Sequence, residues 1–229
     1  MPYFFMDYYY IILVIPAMII AAWAQIKVKS TYSKFSKVEN ARRITGAYAA
    51  QAILSHYGIT DVRIEQISGK LTDHYDPKAK VIRLSEGVYN STSIAAVGIA
   101  CHEAGHAAQH AEAYKPIKIR NSLVPVCNIG SYLGIPLALL GYFLGFEPLI
   151  SVGLLLYAAI FVFQLVTLPV EFNASRRAIN CISERDLLAD DEVSKAKKVL
   201  SAAAMTYVAS MIVALANLLR LILRFRSRD

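Results

Sequence analysis

Residues 93–113 read SIAAVGIACHEAGHAAQHAEA, and this stretch decides both a central helix of the fold and the chemistry that it carries. It is rich in alanine, lacks proline and begins beside a Ser/Thr cluster at residues 91–93 that offers N-cap side chains. The sequence therefore predicts one helix that ends near Pro116. Four residues of an α-helix rise about 6 Å and return to nearly the same face. His102 and His106 can therefore bind one metal ion together.

Glu103 makes this pair of histidines typical of a hydrolase. In an HExxH helix the glutamate is offset from the two ligands and reaches a water molecule on the ion, where it acts as general base. The alternative is a chance HxxxH pattern on an amphipathic helix. The glutamate and the small residues Ala104 and Gly105 favour the metal site. The reaction class indicated is attack of water on a polarised carbonyl.

A catalytic zinc ion needs a third protein ligand, since such sites combine three ligands with one open position for water. His110 lies on the same face but about 12 Å from His102 along a straight helix, too far for one tetrahedral site. Glu171 follows a long apolar run, and the small residues Ala174 and Ala178 suit close packing against the motif helix. The residues alone leave two interpretations of Glu171 open: a metal ligand, or a solvated carboxylate at a membrane boundary.

The distribution of apolar residues indicates a membrane protein. Hydrophobic residues make up 56% of the chain and cluster in blocks. Four blocks approach the roughly 20 residues that cross a bilayer: 8–26, 122–144, 148–170 and 201–223. The segments 27–121 and 171–200 between them carry the motif and Glu171. We predict a mostly α, integral membrane helical protein with about four spans, and a single domain over 1–229, because both segments must meet to complete a metal site.

Basic residues near the spans predict the orientation, because Lys and Arg prefer the cytoplasmic side. Four lysines follow the first block within residues 27–37 and no basic residue precedes it, which favours a retained anchor over a cleaved signal peptide. Arg176 and Arg177 follow the third block, so both segments face the cytoplasm. With four spans Arg224, Arg226 and Arg228 would lie outside. Either this tail crosses despite its charge, or the last block is tilted, re-entrant or interfacial.

The net charge of +7 belongs mostly to these membrane flanks. No basic face with aromatic stacking residues stands out on a soluble domain, so we expect the lipid bilayer, and no nucleic acid, as a partner. In the second span, Gly130 with Gly134 and Gly141 with Gly145 repeat the small-xxx-small spacing that lets helices approach closely. This spacing predicts internal helix packing, with a homo-oligomer as the second interpretation.

Three short strands are predicted before the motif helix, at 62–67, 71–75 and 80–84, with a turn at Asp76 and Pro77. We expect a small antiparallel β-sheet. Zinc peptidases commonly bind an extended substrate along a sheet edge beside the metal. The candidate substrate-binding residues at that edge are Thr72, Asp73, His74 and Tyr75. The alternative is a surface hairpin with no binding role.

Four pieces of sequence carry a resemblance to a known family: TGAYAAQAIL from residue 45, LTDHYDPKAKVIRLSEGVY from 71, CHEAGHAAQH from 101 and EFNASRRA from 171. The chain resembles the YugP-like neutral zinc metallopeptidases of bacterial membranes and, more distantly, the membrane-bound heat-shock zinc proteases and the prenyl-protein processing proteases. The resemblance implies a multi-pass protein of the bacterial cytoplasmic (inner) membrane. It also implies one Zn²⁺ per chain, bound by His102, His106 and Glu171, with Glu103 as base.

One departure concerns the residue four positions after Glu171, where the distant group usually carries aspartate. The chain has Ser175 there. The departure leaves open which side chain orients His102, although it leaves the ligand set unchanged.

These observations predict a zinc metallopeptidase: a membrane endopeptidase that hydrolyses membrane or membrane-proximal proteins with zinc-activated water. Developing negative charge in the transition state needs a further donor. The candidates are His74, His110, Arg176, Arg177 and Tyr207. The alternative is a non-catalytic zinc-binding membrane scaffold or assembly factor, although structural zinc sites usually close all four positions and favour cysteine.

Overall fold

The structure is a computed structural model that describes residues 7–226. A π-helical turn, Tyr10–Val14, leads into α1 (Ile15–Phe35), and α2 (Gly46–His56) follows. The strands are β1 (Arg63–Ile67), β2 (His74–Asp76) and β3 (Val81–Ser85). The remaining helices are α3 (Glu86–Tyr89), α4 (Ile94–Ala111), α5 (Lys115–Leu144), α6 (Glu147–Glu184) and α7 (Asp190–Arg226). The mostly α fold with a small sheet is confirmed.

The chain divides into two compact units. The membrane unit comprises the residues up to Gln25, 118–169 and those from Met205 onward, and the motif unit comprises 26–117 and 170–204. These boundaries lie within about four residues of those predicted for the spans. Among the described residues, four helices are long and apolar enough to cross a membrane: Tyr10–Phe35, Lys115–Leu144, Glu147–Glu184 and Asp190–Phe225. The prediction of four candidate spans is therefore confirmed.

Glycines bring α5 and α6 together in the membrane unit. A Cβ atom added to Gly130 would lie 2.3 Å from the carbonyl oxygen of Leu156, and one added to Gly153 would lie 2.4 Å from the backbone nitrogen of Ala138. Gly134 and Gly141 also face the backbone of α6 at close range. The small-xxx-small spacing therefore serves internal packing at Gly130, Gly134 and Gly141, as predicted. The prediction is wrong for Gly145, which follows the end of α5 with a φ of 65° and approaches no described atom closely.

The end of α7 has an acidic partner. Arg220 forms an ion pair with Asp7 at 3.2 Å, and Arg224 Nε lies 3.9 Å from the same carboxylate. The guanidinium of Arg220 also lies over the ring of Tyr10, 4.9 Å from its centroid. Helix α7 is continuous from Asp190 to Arg226. The carboxylate of Asp7 offsets part of the positive charge near the end of α7. Arg228 lies outside the described residues.

The core of the motif unit surrounds α4. Half of its 18 residues are Ala or Gly, and all of these except Ala111 are buried against α2, α6 and α7. Large apolar residues complete this core, with Ile53, Leu54 and Ile82 fully buried. Small residues on α4 allow neighbouring helices to approach its backbone. The motif helix is therefore fixed on several sides.

The sheet differs from the predicted antiparallel one. Its strand order is β1-β3-β2, with β2 antiparallel to β3 and β1 parallel to β3. The Asp76 carboxylate accepts hydrogen bonds from the backbone of Lys78 and Ala79, which closes the β2–β3 hairpin. The chain from β1 crosses to β2, which lies on the opposite side of β3. Because the β2–β3 hairpin then reverses the chain, β3 runs in the same direction as β1. The predicted strand 71–75 is shortened to His74–Asp76, because residues before it form a loop in which Leu71 has a φ of 56°.

Candidate active site

Helix α4 forms as its sequence predicts. The Ser93 hydroxyl accepts a hydrogen bond from the backbone N–H of Ala96 at 3.2 Å, so Ser93 is the N-cap. The helix ends at Ala111, and Ala113 turns the chain away with a φ of 54°. His102 and His106 lie one turn apart with ring centroids separated by 4.7 Å. Both imidazoles are partly exposed on a helix whose other residues are mostly buried.

Glu171 lies directly opposite the two histidines. Its Oε2 atom is 3.3 Å from Nε2 of His102 and 3.5 Å from Nε2 of His106. One potential ligand atom from each of the three residues lies within 4.8 Å of the others. Two ligand atoms at about 2.0–2.1 Å from a tetrahedral zinc lie about 3.3 to 3.4 Å apart. The spacing therefore fits a His₂Glu zinc site.

A close contact between α4 and α6 delivers Glu171 to this position. A Cβ atom added to Gly105 would lie 2.7 Å from the carbonyl oxygen of Ala174. Ala174 and Ala178 are fully buried on the face of α6 that meets α4. The predicted packing of small residues against the motif helix is confirmed. Glycine at position 105 is required because any side chain there would meet backbone atoms.

The chemistry of the Glu171 carboxylate also fits a cation. Glu171 is only 3% exposed, and among the described residues its buried Oε2 atom has no hydrogen-bond partner of good geometry. A buried, unsatisfied carboxylate oxygen is costly unless a positive group compensates it. Burial alone would lower the pKa of His106, but Glu171 above all, with smaller contributions from Glu103 and Gln109, raises this pKa above its ordinary value. The pocket therefore favours positive charge between these side chains.

Each histidine has a second partner at its Nδ1 atom. The hydroxyl of Ser175 lies 3.1 Å from Nδ1 of His102, so Ser175 occupies the orienting position that the sequence left open. Oε1 of Gln109 lies 3.0 Å from Nδ1 of His106. The sequence analysis missed Gln109, although its position three residues after His106 on a predicted helix was a usable signal. In both histidines the Nε2 atom is the one that faces Glu171.

The remaining predicted site residues lie in several places. Glu103 is partly exposed on α4, beside His102. Asp73 accepts hydrogen bonds from the backbone and hydroxyl of Ser85, which connects the loop before β2 to β3. The Nδ1 atom of His74 lies 2.8 Å from the carbonyl oxygen of Thr72. These contacts hold the loop and β2 in place.

Tyr75 on β2 and His110 on α4 lie close together. Their rings lie 5.5 Å apart, which joins β2 to the motif helix. Burial, followed by the charges of Asp61 and Asp76, raises the pKa of Tyr75 above its ordinary value. The Tyr75 hydroxyl therefore stays protonated over a wide pH range and is able to donate a hydrogen bond.

The other candidate donors are separate from this contact. Arg176 is exposed on α6. Arg177 forms an ion pair with Glu112 at 2.7 Å and lies near the rings of Tyr57 and Tyr114. Tyr207 lies on α7 in the membrane unit. The structure thus places His110, among the five candidates, on the same helix as the two histidines of the motif.

Comparison with known proteins agrees with this geometry. Residues 10–226 match a family described as "putative neutral zinc metallopeptidase". The chain belongs to this zinc metallopeptidase family. A relative from Bacillus subtilis (strain 168), named "putative membrane protease YugP", is 47% identical over 216 residues, which cover 94% of the chain and 96% of that relative. No solved structure matches the chain. Family membership confirms the predicted YugP-like resemblance, and the relative's name and the four apolar helices support a membrane location.

Proposed function

We propose that this member of the family is a zinc-dependent membrane endopeptidase whose site consists of His102, His106, Glu171 and Glu103. The observation that carries the proposal is the approach of one buried Glu171 oxygen to both imidazole Nε2 atoms, at 3.3 and 3.5 Å. Three ligands without a fourth protein ligand are typical of a catalytic zinc, whereas structural sites are usually closed. Among the described residues, no other group of three His, Cys, Asp or Glu side chains has this spacing.

The residues divide into distinct roles. Zinc, when bound, supplies Lewis acidity that polarises the scissile carbonyl and lowers the pKa of water. Glu103 accepts the proton of the attacking water and passes it to the leaving amine, a contribution of about 10²- to 10⁴-fold for general acid–base catalysis. His110 is our proposed donor to the developing negative charge, because it shares the motif helix and contacts Tyr75. One zinc ion per chain is expected.

The edge strand supports an extended polypeptide as substrate. β2 pairs with β3 on one side, and within the described residues no strand pairs with its other side. The same strand packs against α4, which carries the histidines. An extended segment added at this edge would form backbone hydrogen bonds beside the site. In that arrangement the substrate contacts Thr72, His74 and Tyr75. Asp73 has an indirect role, because its carboxylate holds the loop before β2 in place.

The expected substrates are membrane proteins or segments close to the bilayer. Four apolar helices belong to the same chain as the site, and the basic flanks favour a cytoplasmic active site in the bacterial inner membrane. The rival function is a zinc-binding scaffold or assembly factor without catalysis. The position of Glu103 beside a three-ligand site favours the enzyme, since a scaffold does not need a general base.

A Glu103→Gln variant separates the two functions. We expect detergent-purified native protein and the variant each to contain one zinc per chain by elemental analysis, while cleavage of fluorescein-labelled casein falls by at least about 10²-fold in the variant. The exposed Glu86→Gln variant controls for a lost surface carboxylate. Equal casein cleavage by the native and Glu103→Gln proteins would contradict the mechanism. Zinc binding with no cleavage by the native protein would favour the scaffold.

A further inference from the structure

Gln109 is a fully buried polar residue whose amide lies between the motif helix and α6. Its exposed fraction is 0%. Its Oε1 atom lies 3.0 Å from Nδ1 of His106, and its Nε2 atom donates to the carbonyl oxygen of Val170 at 2.8 Å and to Oδ1 of Asn173 at 3.0 Å. Every side of the amide therefore has a partner, as a buried amide requires.

The partner at Val170 fixes the direction of the amide. A backbone carbonyl only accepts hydrogen bonds, so the NH₂ group of Gln109 must face Val170 and its oxygen must face His106. Because that oxygen also only accepts, Nδ1 of His106 must carry a proton. The lone pair of the neutral imidazole is then on Nε2, the atom that faces Glu171. The backbone of α6 thus determines the tautomer of a histidine on α4.

The same contact sets the position of α4 along α6. Val170 immediately precedes Glu171, so Gln109 holds His106 against the backbone next to the residue that faces its Nε2 atom. A shift of either helix along the other would lengthen the hydrogen bond between Gln109 and Val170. The same shift would move His106 relative to Glu171. This arrangement keeps the two proposed ligand atoms in register.

A further contact holds Asn173 in place. Oδ1 of Asn173 also accepts from Nε of Arg177 at 2.8 Å, and Arg177 forms an ion pair with Glu112 just after the end of α4. Tyr57 and Tyr114 lie near the guanidinium, with ring centroids 5.6 and 5.9 Å away. The acceptor that faces Gln109 is therefore fixed by a charged group that has its own partners.

We infer that Gln109 is a positioning residue that fixes the tautomer of His106 and keeps it in register with Glu171. The inference rests on the proposed zinc site. Groups that orient a ligating histidine typically change metal affinity about 10- to 100-fold when they are removed. Gln109 differs from an ordinary packing residue in two ways. Its side-chain oxygen faces the proposed ligand His106. Its side-chain nitrogen donates to the backbone carbonyl of Val170, next to the proposed ligand Glu171.

Two substitutions with opposite expectations test this role. Gln109→Met has a similar volume but no hydrogen bonds, so we expect zinc affinity to fall about 10- to 100-fold. Gln109→Glu keeps an oxygen that faces His106, so we expect zinc affinity within about threefold of the native value. The glutamate also faces two oxygen acceptors, so it should lower the melting temperature of the zinc-free protein more than the methionine does. Affinity and stability should therefore rank the variants in opposite orders.

The measurements use the full chain in detergent micelles. Zinc dissociation constants come from competition with a chromophoric chelator, and melting temperatures come from circular dichroism of the zinc-free protein. Nitrogen-15 NMR of histidine-labelled protein reports the tautomer of His106, which we expect to be Nδ1–H in the native and Gln109→Glu proteins and mixed in Gln109→Met. The exposed Gln51→Met variant on α2 is the matched control, with native values expected throughout.

The outcomes separate this inference from the proposed function. If zinc affinity follows melting temperature across both variants, or if Gln109→Met binds zinc as tightly as the native chain, Gln109 is only a packing residue and the inference is overturned. A native chain that binds no zinc overturns the proposed zinc site itself. Weak zinc binding by Gln109→Met, with a mixed tautomer and higher stability than Gln109→Glu, establishes the positioning role.

Discussion

Helix α6 makes close contacts through glycine in both units, with α5 in the membrane unit and with α4 in the motif unit, and they serve different purposes. In the membrane unit, Gly130 on α5 faces the backbone of Leu156, and apolar surfaces surround the contact. In the motif unit, Gly105 on α4 faces the backbone of Ala174, and polar side chains surround it. Close approach of helix backbones at a glycine therefore joins candidate membrane spans in one unit and assembles a candidate metal site in the other.

The difference lies in what the close approach brings together. Around Gly130 the gain is van der Waals contact, since lipid tails offer no hydrophobic driving force between helices. Around Gly105 the approach places Glu171 between two imidazoles and lets Ser175 and Gln109 reach their Nδ1 atoms. A small residue thus makes the contact possible, while the polar residues around it determine the function.

Removal of the proposed carboxylate ligand should give the largest effect. We expect Glu171→Ala to weaken zinc binding more than about 100-fold, since partners outside the ligand set alone are worth about 10- to 100-fold. Zinc content and chelator competition measure the loss. Glu184→Ala, on the same helix with a side chain 60% exposed, should bind zinc as the native chain does. A Glu171→Ala protein that keeps one tightly bound zinc would remove Glu171 from the site and make the α4–α6 contact purely structural.

A methyl group at position 105 should separate the motif helix from α6. The Cβ of Gly105→Ala would meet Ala174 at 2.7 Å. We expect a loss of about 1–3 kcal/mol in the free energy of unfolding from overpacking, with zinc affinity lower by about 10- to 100-fold as the ligands move apart. Denaturant unfolding and chelator competition measure both quantities.

Gly98→Ala is the matched control on the same helix. Its Cβ would lie 3.6 Å from that of Ala196, an ordinary contact. Since alanine is favoured over glycine within a helix by about 1 kcal/mol, this variant should be as stable as the native chain or more so, with unchanged zinc affinity. Equal zinc affinities in Gly105→Ala and Gly98→Ala would show that the close approach is not needed for binding.

The partner of His102 should have a smaller influence. We expect Ser175→Ala to weaken zinc binding about tenfold, the lower end of the range for such groups, because a hydroxyl is a single neutral partner. Ser175→Asp should restore or exceed native affinity, since a carboxylate raises the basicity of the histidine that it orients. Chelator competition measures both. A Ser175→Ala loss larger than that of Gln109→Met would reverse the order that we assign to the two partners.

The sequence predicted the elements whose signals are local. The HExxH spacing predicted that His102 and His106 lie together on one helix, and the lengths of the apolar blocks predicted four candidate spans that the structure has. The small residues after Glu171 predicted the approach of α6 to α4. Each of these depends on helical periodicity or composition within one segment, which a single sequence shows directly.

Features that depend on two distant segments could not be read in the same way. The parallel pairing of β1 with β3 arises from how the chain crosses the sheet, and short strands carry no local sign of direction. The role of Gln109 depends on its hydrogen bond to Val170, which lies 61 residues later in the sequence. Asp7 likewise pairs with Arg220 near the other end of the chain. A motif thus indicates chemistry only for its own residues, and tertiary contacts identify their partners.

Overpacking of the membrane contact should leave zinc binding unchanged. The Cβ of Gly130→Ala would lie 2.3 Å from the carbonyl oxygen of Leu156, so we expect a loss of about 1–3 kcal/mol in unfolding free energy. No polar side chain with a role at the proposed metal site takes part in this contact, so the zinc dissociation constant should equal the native one. Leu140→Ala, at an exposed position of the same helix, should change neither quantity appreciably. Unfolding followed by circular dichroism and chelator competition give the two values. If Gly130→Ala weakened zinc binding as much as Gly105→Ala, the two contacts would act as one, because strain in the membrane packing would then reach the ligands through the continuous helix α6.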